Sequence, residues 1–281
     1  MMQKSIWQRV KPSRVLLTLV LALVTLTMLF PLLWMISASF KFEADVFKFP
    51  IEWIPANPNF GNYAEVWFGK YDFPLYYWNT IKLSVLVTAA QLFISAMGAF
   101  AFAKINFKFR EPLFALFLAT MMIPDQVTIV PKFMLMKELH LLNTHTGIIL
   151  MMVFSVYGVF LLRQHMISIP NALMEAAKID GAGYGRIFLQ IMLPMSTPAM
   201  ITLGILRFIW TWNDYQTALI FLSDQKLYTL QLGMSQFASE SGAFYSQMMA
   251  AAVCAIVPLL ILFVVGQKSI MEGIASGAVK G

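Results

Sequence analysis

Apolar residues in this chain run in long uncharged blocks, without the alternating or one-in-three-or-four spacing of a water-soluble strand or helix. A helix needs about 20 mostly apolar residues to cross roughly 30 Å of hydrocarbon. Residues 15–39 form a block of 25 without a formal charge, residues 83–103 one of 21 and residues 248–266 one of 19. Each predicts a spanning helix. The first follows Lys4, Arg9, Lys11 and Arg14, as a secretory leader would. It is well beyond the ~7–15 residues of a leader's apolar core, so a retained span is expected.

Three further spans are less regular. Residues 112–124 are apolar but halt at Asp125, then resume through 127–131 and 133–136. At about 1.5 Å per residue the first piece is too short to cross alone. It predicts one span that starts near Pro112 and ends irregularly around Pro124 and Pro131. Residues 146–162 supply 17 positions, and residues 199–222 are long enough but contain Arg207 and Asp214. The expectation is an all-α, polytopic membrane protein with six transmembrane helices.

Composition agrees. Of 281 residues, 59% are hydrophobic and 12% charged, about half the roughly 25% of a soluble domain, and the mean hydropathy is +0.71. These values argue against a cytosolic enzyme, a disordered regulator or a secreted disulfide scaffold. The single cysteine, Cys254, has no internal partner for a disulfide.

The net charge of +6 is explained by topology. With the N-terminus in the cytoplasm, the cytoplasmic segments hold 12 Lys and Arg and the opposite side 6. Lys82 and Arg207 lie at or within spans. This asymmetry predicts both termini inside and needs no nucleic-acid partner. The expected organisation is a cytoplasmic N-terminus over 1–14, a membrane domain over 15–268 with its core at about 80–268, and a cytoplasmic tail over 269–281. Two extracytoplasmic segments are long. Residues 40–80 carry Trp53, Trp67, Tyr71, Tyr76, Tyr77 and Trp78, a density that suits headgroup depth and contact with lipid. Residues 223–247 are polar and rich in Ser and Gln.

Catalytic signatures are missing. No stretch matches the Gly-x-x-x-x-Gly-Lys-Ser/Thr phosphate cradle. His140, His145 and His165 show no zinc-binding spacing, and Gly273-Ile-Ala-Ser-Gly277 places its serine wrongly for a nucleophile elbow. Pairs such as Met121-Met122, Met151-Met152 and Met248-Met249 read as soft filler in helix packing. No catalytic residue, metal or cofactor is expected on this chain.

The segment 168–198 is the unusual one. Pro170 suits a first helical turn, residues 172–178 are good helix formers, and Asp180-Gly181 stops the helix and turns the chain. A second helical piece then places Ile187, Ile191 and Met195 on one stripe. A short helix with a small face at Ala176 and Ala177, a glycine turn and a second helix could seat in a partner's groove or serve as a bare interfacial linker.

The spacing Glu175-Ala176-Ala177, Gly181, Ile191-x-Leu193-Pro194 resembles the cytoplasmic signature of ABC-importer permease subunits. The form Glu-Ala-Ala-x-Ile-Asp180-Gly181-Ala182 is similar to the carbohydrate-uptake branch, closest to maltose-type second permeases. Trp212-Asn213-Asp214-Tyr215 and the tail from Glu272 extend the likeness. Gly183-Tyr-Gly185 carries more glycine than the turn requires. The resemblance implies a type I importer permease fold in a prokaryotic cell membrane and a second, homologous permease subunit. It also implies two cytoplasmic ATPase subunits that hold ATP and Mg, and an extracytoplasmic sugar-binding protein. The 175–194 segment would be the ATPase contact, and the cargo a sugar or oligosaccharide, with glycerol phosphate or another polar solute as the nearer alternative. An ion-driven secondary transporter would be expected to show matched half-repeats, which are not evident; a membrane-embedded enzyme fits less well still.

Arg207 and Asp214 stand seven residues apart, hence on one face if span five is a single helix, about 10 Å apart along its axis. Ionisable groups in a span face protein or water. With Thr211 and Asn213 they could line a sugar path, or pair with the second permease. The topology has a direct test: single cysteines in a Cys254→Ser background, treated with an impermeant maleimide in sealed cells. Labelling is expected at positions 59 and 239 and protection at 178 and 280; the reverse pattern contradicts the orientation.

Overall fold

A computed structural model describes residues 12–239 and 242–278 of the chain. Lys4, Arg9, Lys11 and Lys280, used in the charge count, lie outside them. The described chain is helical apart from a two-residue antiparallel pair, Ala238–Ser239 with Gly242–Ala243. The order is α1 (Pro12–Ser39), α2 (Gly61–Phe68), α3 (Phe73–Lys104), α4 (Arg110–Ala119), α5 (Asp125–Glu138), α6 (His145–Met152) and α7 (Val156–Ser168). It continues through α8 (Asn171–Ile179), α9 (Tyr184–Ile187), a π-helical turn (Phe188–Met192), α10 (Leu193–Met195) and α11 (Thr197–Trp212). The last elements are α12 (Gln216–Phe221), α13 (Leu230–Met234) and α14 (Tyr245–Ala278).

Three of these are long and apolar enough to cross a bilayer alone, over Ser13–Ser39, Phe73–Lys104 and Tyr245–Gln267. Three more candidates are bent pairs: Arg110–Met122 with Asp125–Glu138 at 99°, His145–Met152 with Val156–Ser168 at 45°, and Tyr184–Met195 with Thr197–Trp212 at 75°. Among the described residues the candidate spans therefore number three to six.

Several boundaries differ from the sequence expectation. α3 begins ten residues before position 83, because the polar side chains of Asn79 and Thr80 bond to a neighbouring segment and so do not end the helix. The break at Pro124 turns the chain nearly at a right angle, by 99°, while Pro131 sits inside α5. The expected span over 199–222 is corrected: α11 stops at Trp212, where Asn213-Asp214-Tyr215 interrupts the helix, and α12 is a separate short piece. Met121 and Met122 are exposed on a 3-10 turn and fill no packing gap in this chain. The C-terminal segment continues α14 as helix through Ala278.

The chain divides into two compact units. One comprises residues up to 71 with 237–254. Its α1 is exposed all round over residues 13–30, as expected of a helix that presents its surface to lipid or another subunit. Many of its aromatics pack on one another: Phe30 on Trp53, Phe40 on Phe60 and Tyr63, Phe47 on Trp34 and Tyr245. The Glu43 carboxylate accepts from Tyr245 N, Ser246 N and Ser246 Oγ at 2.9 Å and caps the start of α14.

The other unit comprises 72–236 and the chain from 255. Tyr76, Tyr77 and Trp78 belong to the first turns of α3, and Tyr76 is buried. At its centre α3 packs along α7 and α11. Apolar attraction between helices is weak in lipid, so close backbone approach through small residues supplies much of the association. Among these three helices Gly158 of α7 is the tightest such point. A Cβ there would lie 2.6 Å from Ser95 Oγ and 3.3 Å from Leu203 Cδ2, so α3, α7 and α11 meet on this glycine. The same face of α3 carries Ser84, Gln91 and Ser95, all fully buried. Below this point Ala96, Ala99, Phe100, Leu162, Met166 and Leu203 form a core. Gly158→Ala is expected to lower stability by about 1–3 kcal/mol through overpacking, read as a lower thermal unfolding midpoint in detergent, with Ser95→Gly restoring part of the loss.

Candidate functional site

The 168–198 segment starts where α7 ends. Ile169 is extended, Pro170 offers no N–H to continue the helix, and α8 begins at Asn171, so Pro170 caps α8 from outside its first turn. Only one face of α8 meets the bundle. Met174 is buried and Ala177 packs beside it against the core of Phe100, Leu162 and Met166. Glu175, Ala176 and Lys178 are exposed.

The turn at Asp180 is a Schellman cap. Ala182 N donates to Ala177 O at 2.8 Å and Gly181 N to Lys178 O at 3.0 Å, the two bonds that satisfy the last carbonyls of a helix. Gly181 has φ +80°, with open space where a Cβ would stand. Its requirement is conformational, since only glycine adopts this backbone at little cost. Gly183 has an ordinary φ of −73° and Gly185 lies inside α9, both in open surroundings, so the turn does not need them.

The second half differs from the expected stripe. Residues 188–192 form a π-helical turn, which advances the buried positions by five: Ile187 and Met192 are both fully buried, and Phe188 precedes half-buried Leu193. Ile191 is half-buried, while Met195 and Pro194 face outward. Ile187, Phe188 and Met192 join the core that Met174 enters from the other side, so the whole segment is anchored to the bundle. Glu175 lies at the middle of α8, away from the free N–H groups of its first turn. Ala176 and Ala177 do not share a face.

The sequence reading missed the outward apolar residues. Ile179 is 87% exposed just before the turn, with Leu173 and Leu189 also outward. Exposed large aliphatics beside charged residues mark a surface that meets another protein. An isoleucine among the alanines of a surface helix was the available signal.

The second group bonds to more than one helix end. Arg207 Nη2 donates to Met152 O at 2.9 Å, which places a cation on the last carbonyl of α6 at the break in span four. Asp214, beyond the end of α11, accepts from Thr217 Oγ1 at 2.9 Å and faces the Thr217 N–H at 3.5 Å, at the start of α12. Asn213 Nδ2 donates to Ile209 O, and its Oδ1 accepts from Gln231 Nε2 at 3.4 Å. Thr211 is buried. Arg207 and Asp214 thus serve two separate helix ends, and the expectation of one helical face is corrected by the break at residue 213. Trp212 anchors that break: it is fully buried, donates Nε1 to Ala255 O at 3.0 Å and stacks on Phe208.

The family model for binding-protein-dependent transport system inner membrane components matches residues 92–271, which contain the anchored segment and all three bent helix pairs. The chain belongs to this family. Among its relatives are the arabinooligosaccharides transport system permease protein AraQ of Bacillus subtilis, 32% identical and covering 95% of this chain and 96% of the relative. The melibiose/raffinose/stachyose import permease protein MelC of Bacillus subtilis is also 32% identical, with 97% and 99% covered. The lactose transport system permease protein LacG of Rhizobium radiobacter is 31% identical, with 93% and 94% covered. The fold matches a chain of a bacterial ABC transporter involved in import of the acidic polysaccharide alginate, with TM-score 0.83, 24% identity and coverage of 95% and 99%.

For this permease the two alanines of the signature are separable. Ala177→Trp is expected to destabilise the protein by about 1–3 kcal/mol, because it overfills the core contact. Ala176→Trp, on the outward face, is expected to stay within about 0.5 kcal/mol. Thermal unfolding of the two purified variants checks both.

Proposed function

We propose that this chain is a membrane-spanning, non-catalytic subunit of an ATP-driven importer for a sugar or oligosaccharide. The observation that carries the reading is the anchored segment over 168–198. It is packed through Met174, Ile187, Phe188 and Met192 onto the core shared by α3, α7 and α11, while Glu175, Ala176 and Ile179 point away from the bundle. Such a body receives force at its outer face and passes it to the spans.

In this reading α8 seats on a cytoplasmic ATPase subunit, which holds ATP and Mg and is present in two copies. A second permease completes the pathway, six spans place both termini in the cytoplasm, and an extracytoplasmic binding protein delivers the cargo. Relatives named for arabinooligosaccharides, raffinose-type sugars and lactose support a carbohydrate cargo. A bacterial alginate ABC transporter, solved in complex with a pentasaccharide-bound periplasmic protein, shares the fold with TM-score 0.65 and supports the binding-protein partner. Closure of the two ATPases would move the pair of α8 helices, and the two-state membrane body would open outward in response. Asn213 and Asp214 lie in the break after α11, Thr211 stands in its last turn and Arg207 reaches the end of α6; irregular backbone at membrane depth is tolerated where it is covered by protein or lines a water-filled cavity, which makes this break the candidate stretch of the cargo path.

Gly181→Val tests the contact. A β-branched side chain at φ +80° carries a strain of about 1–2 kcal/mol or more, which the chain relieves by tilting α8. The variant is expected to insert and pair with the second permease, yet to co-purify poorly with the ATPase and lose substrate-stimulated ATP hydrolysis in vesicles. Ala176→Trp should show the same loss with normal stability. Full ATPase recovery and normal stimulation in both variants would refute the assignment.

A further inference from the structure

Among the described residues three helices are long enough to cross unbroken, and two of them carry an interior proline, Pro31 in α1 and Pro258 in α14. The other candidates are bent pairs. Prolines and breaks are where helices flex or kink. α3 differs from all of these: its 32 residues are continuous, and its one proline stands in the first turn. At about 1.5 Å per residue it reaches about 48 Å.

Both ends of this helix are tied by side chains to other segments. At its N-terminal end Asn79 Nδ2 donates to Lys226 O at 2.9 Å and Tyr228 O at 3.1 Å. Thr80 Oγ1 accepts from Leu230 N at 2.7 Å, and Tyr76 OH donates to Gln236 Oε1 at 3.1 Å. All four bonds go to the polar segment 225–237. At the other end Lys104, the last residue of α3, donates its ammonium to Ile169 O and to Asn171 Oδ1, the latter at 2.8 Å. These two acceptors flank Pro170, the joint between α7 and α8. One cation bonded on both sides of that joint sets the angle at which α8 leaves the bundle. Arginine, with its own several donors, could keep both bonds; methionine, of similar reach, could keep neither.

We propose that α3 is the rod that links the 225–237 segment to α8, with Asn79 and Lys104 as positioning residues at its two ends. The proposal rests on the reading of α8 as the ATPase contact. The broken spans can absorb motion at their joints. α3 has none, and its packing along α7 and α11 resists bending, so a displacement of 225–237 reappears at α8.

The test uses the assembled importer in vesicles, with ATP hydrolysis measured with and without its binding protein charged from a mixture of arabinooligosaccharides, raffinose and lactose. Lys104→Met is expected to keep the ATPase bound and to lose stimulation by roughly 5-fold or more, the scale of an intersite coupling, while Lys104→Arg restores it. Asn79→Leu is expected to behave like Lys104→Met. The two sites are about 38 Å apart, where independent effects would add. Joints in series instead make the double variant no worse than the worse single. Normal stimulation in Lys104→Met with the ATPase still bound, or additive losses in the double variant, overturns the rod and leaves the importer reading standing. Failure of the wild-type chain to bind the ATPase overturns both.

Discussion

The backbone of α7 touches α3 at Gly158, and the rest of the larger unit follows from that approach. Between helices in hydrocarbon there is little to gain from burying one more leucine, because the lipid is as apolar as the leucine it would replace. What lipid cannot match is a side chain seated directly on the backbone of another helix. Gly158, met by the side chains of Ser95 and Leu203, supplies this for three helices at one point, and the core of Ala96, Ala99, Phe100, Leu162 and Met166 lies along the same seam. The 168–198 segment closes the end of this core with Met174 from one side and Ile187, Phe188 and Met192 from the other. A segment that looks like a surface connection is therefore part of the packed interior, and its outward residues have a fixed orientation.

Lipid also dictates how the broken spans are built. A helix that stops inside a membrane exposes carbonyls and N–H groups with no water to satisfy them. Several helix ends here bring side chains to such groups. Thr144 and Ser155 accept from the first N–H groups of α6 and α7. Arg207 holds the last carbonyl of α6, and Asp214 bonds the Thr217 hydroxyl at the start of α12. The residues that looked like a single charged face are accounted for one helix end at a time.

Much of this was legible in the chain. Uncharged blocks located the unbroken spans, Pro124 and Asp125 marked a break, and Asp180-Gly181 fixed the turn down to its glycine. The Glu175-Ala176-Ala177 to Pro194 spacing pointed to the family before any geometry was known. Three things were not legible, each because it depends on distant residues. The start of α3 hides behind polar side chains whose partners lie some 150 positions away. The end of α11 at Trp212 reflects the anchoring of that ring by Ala255 and Phe208, which hydropathy alone does not encode. The π-helical turn breaks the i, i+4 rule on which the expected stripe over 187–195 was built, and it becomes visible only from which side chains the core accepts.

That π-helical turn makes length a discrete quantity in this part of the molecule. A π turn holds one more residue than the α turn it replaces. Removing one residue between 188 and 192 would let it close to α geometry while the residues on either side keep their faces, because one turn replaces another. The same deletion in the regular turn before it, over 184–187, has no such slack and would rotate that turn by about 100° relative to the residues that follow. Ile187 would then swing out of the core, and the link that holds α8 to the bundle would be lost with it. The wide turn is thus the one place in the segment where the count of residues can change without reorienting what lies on either side.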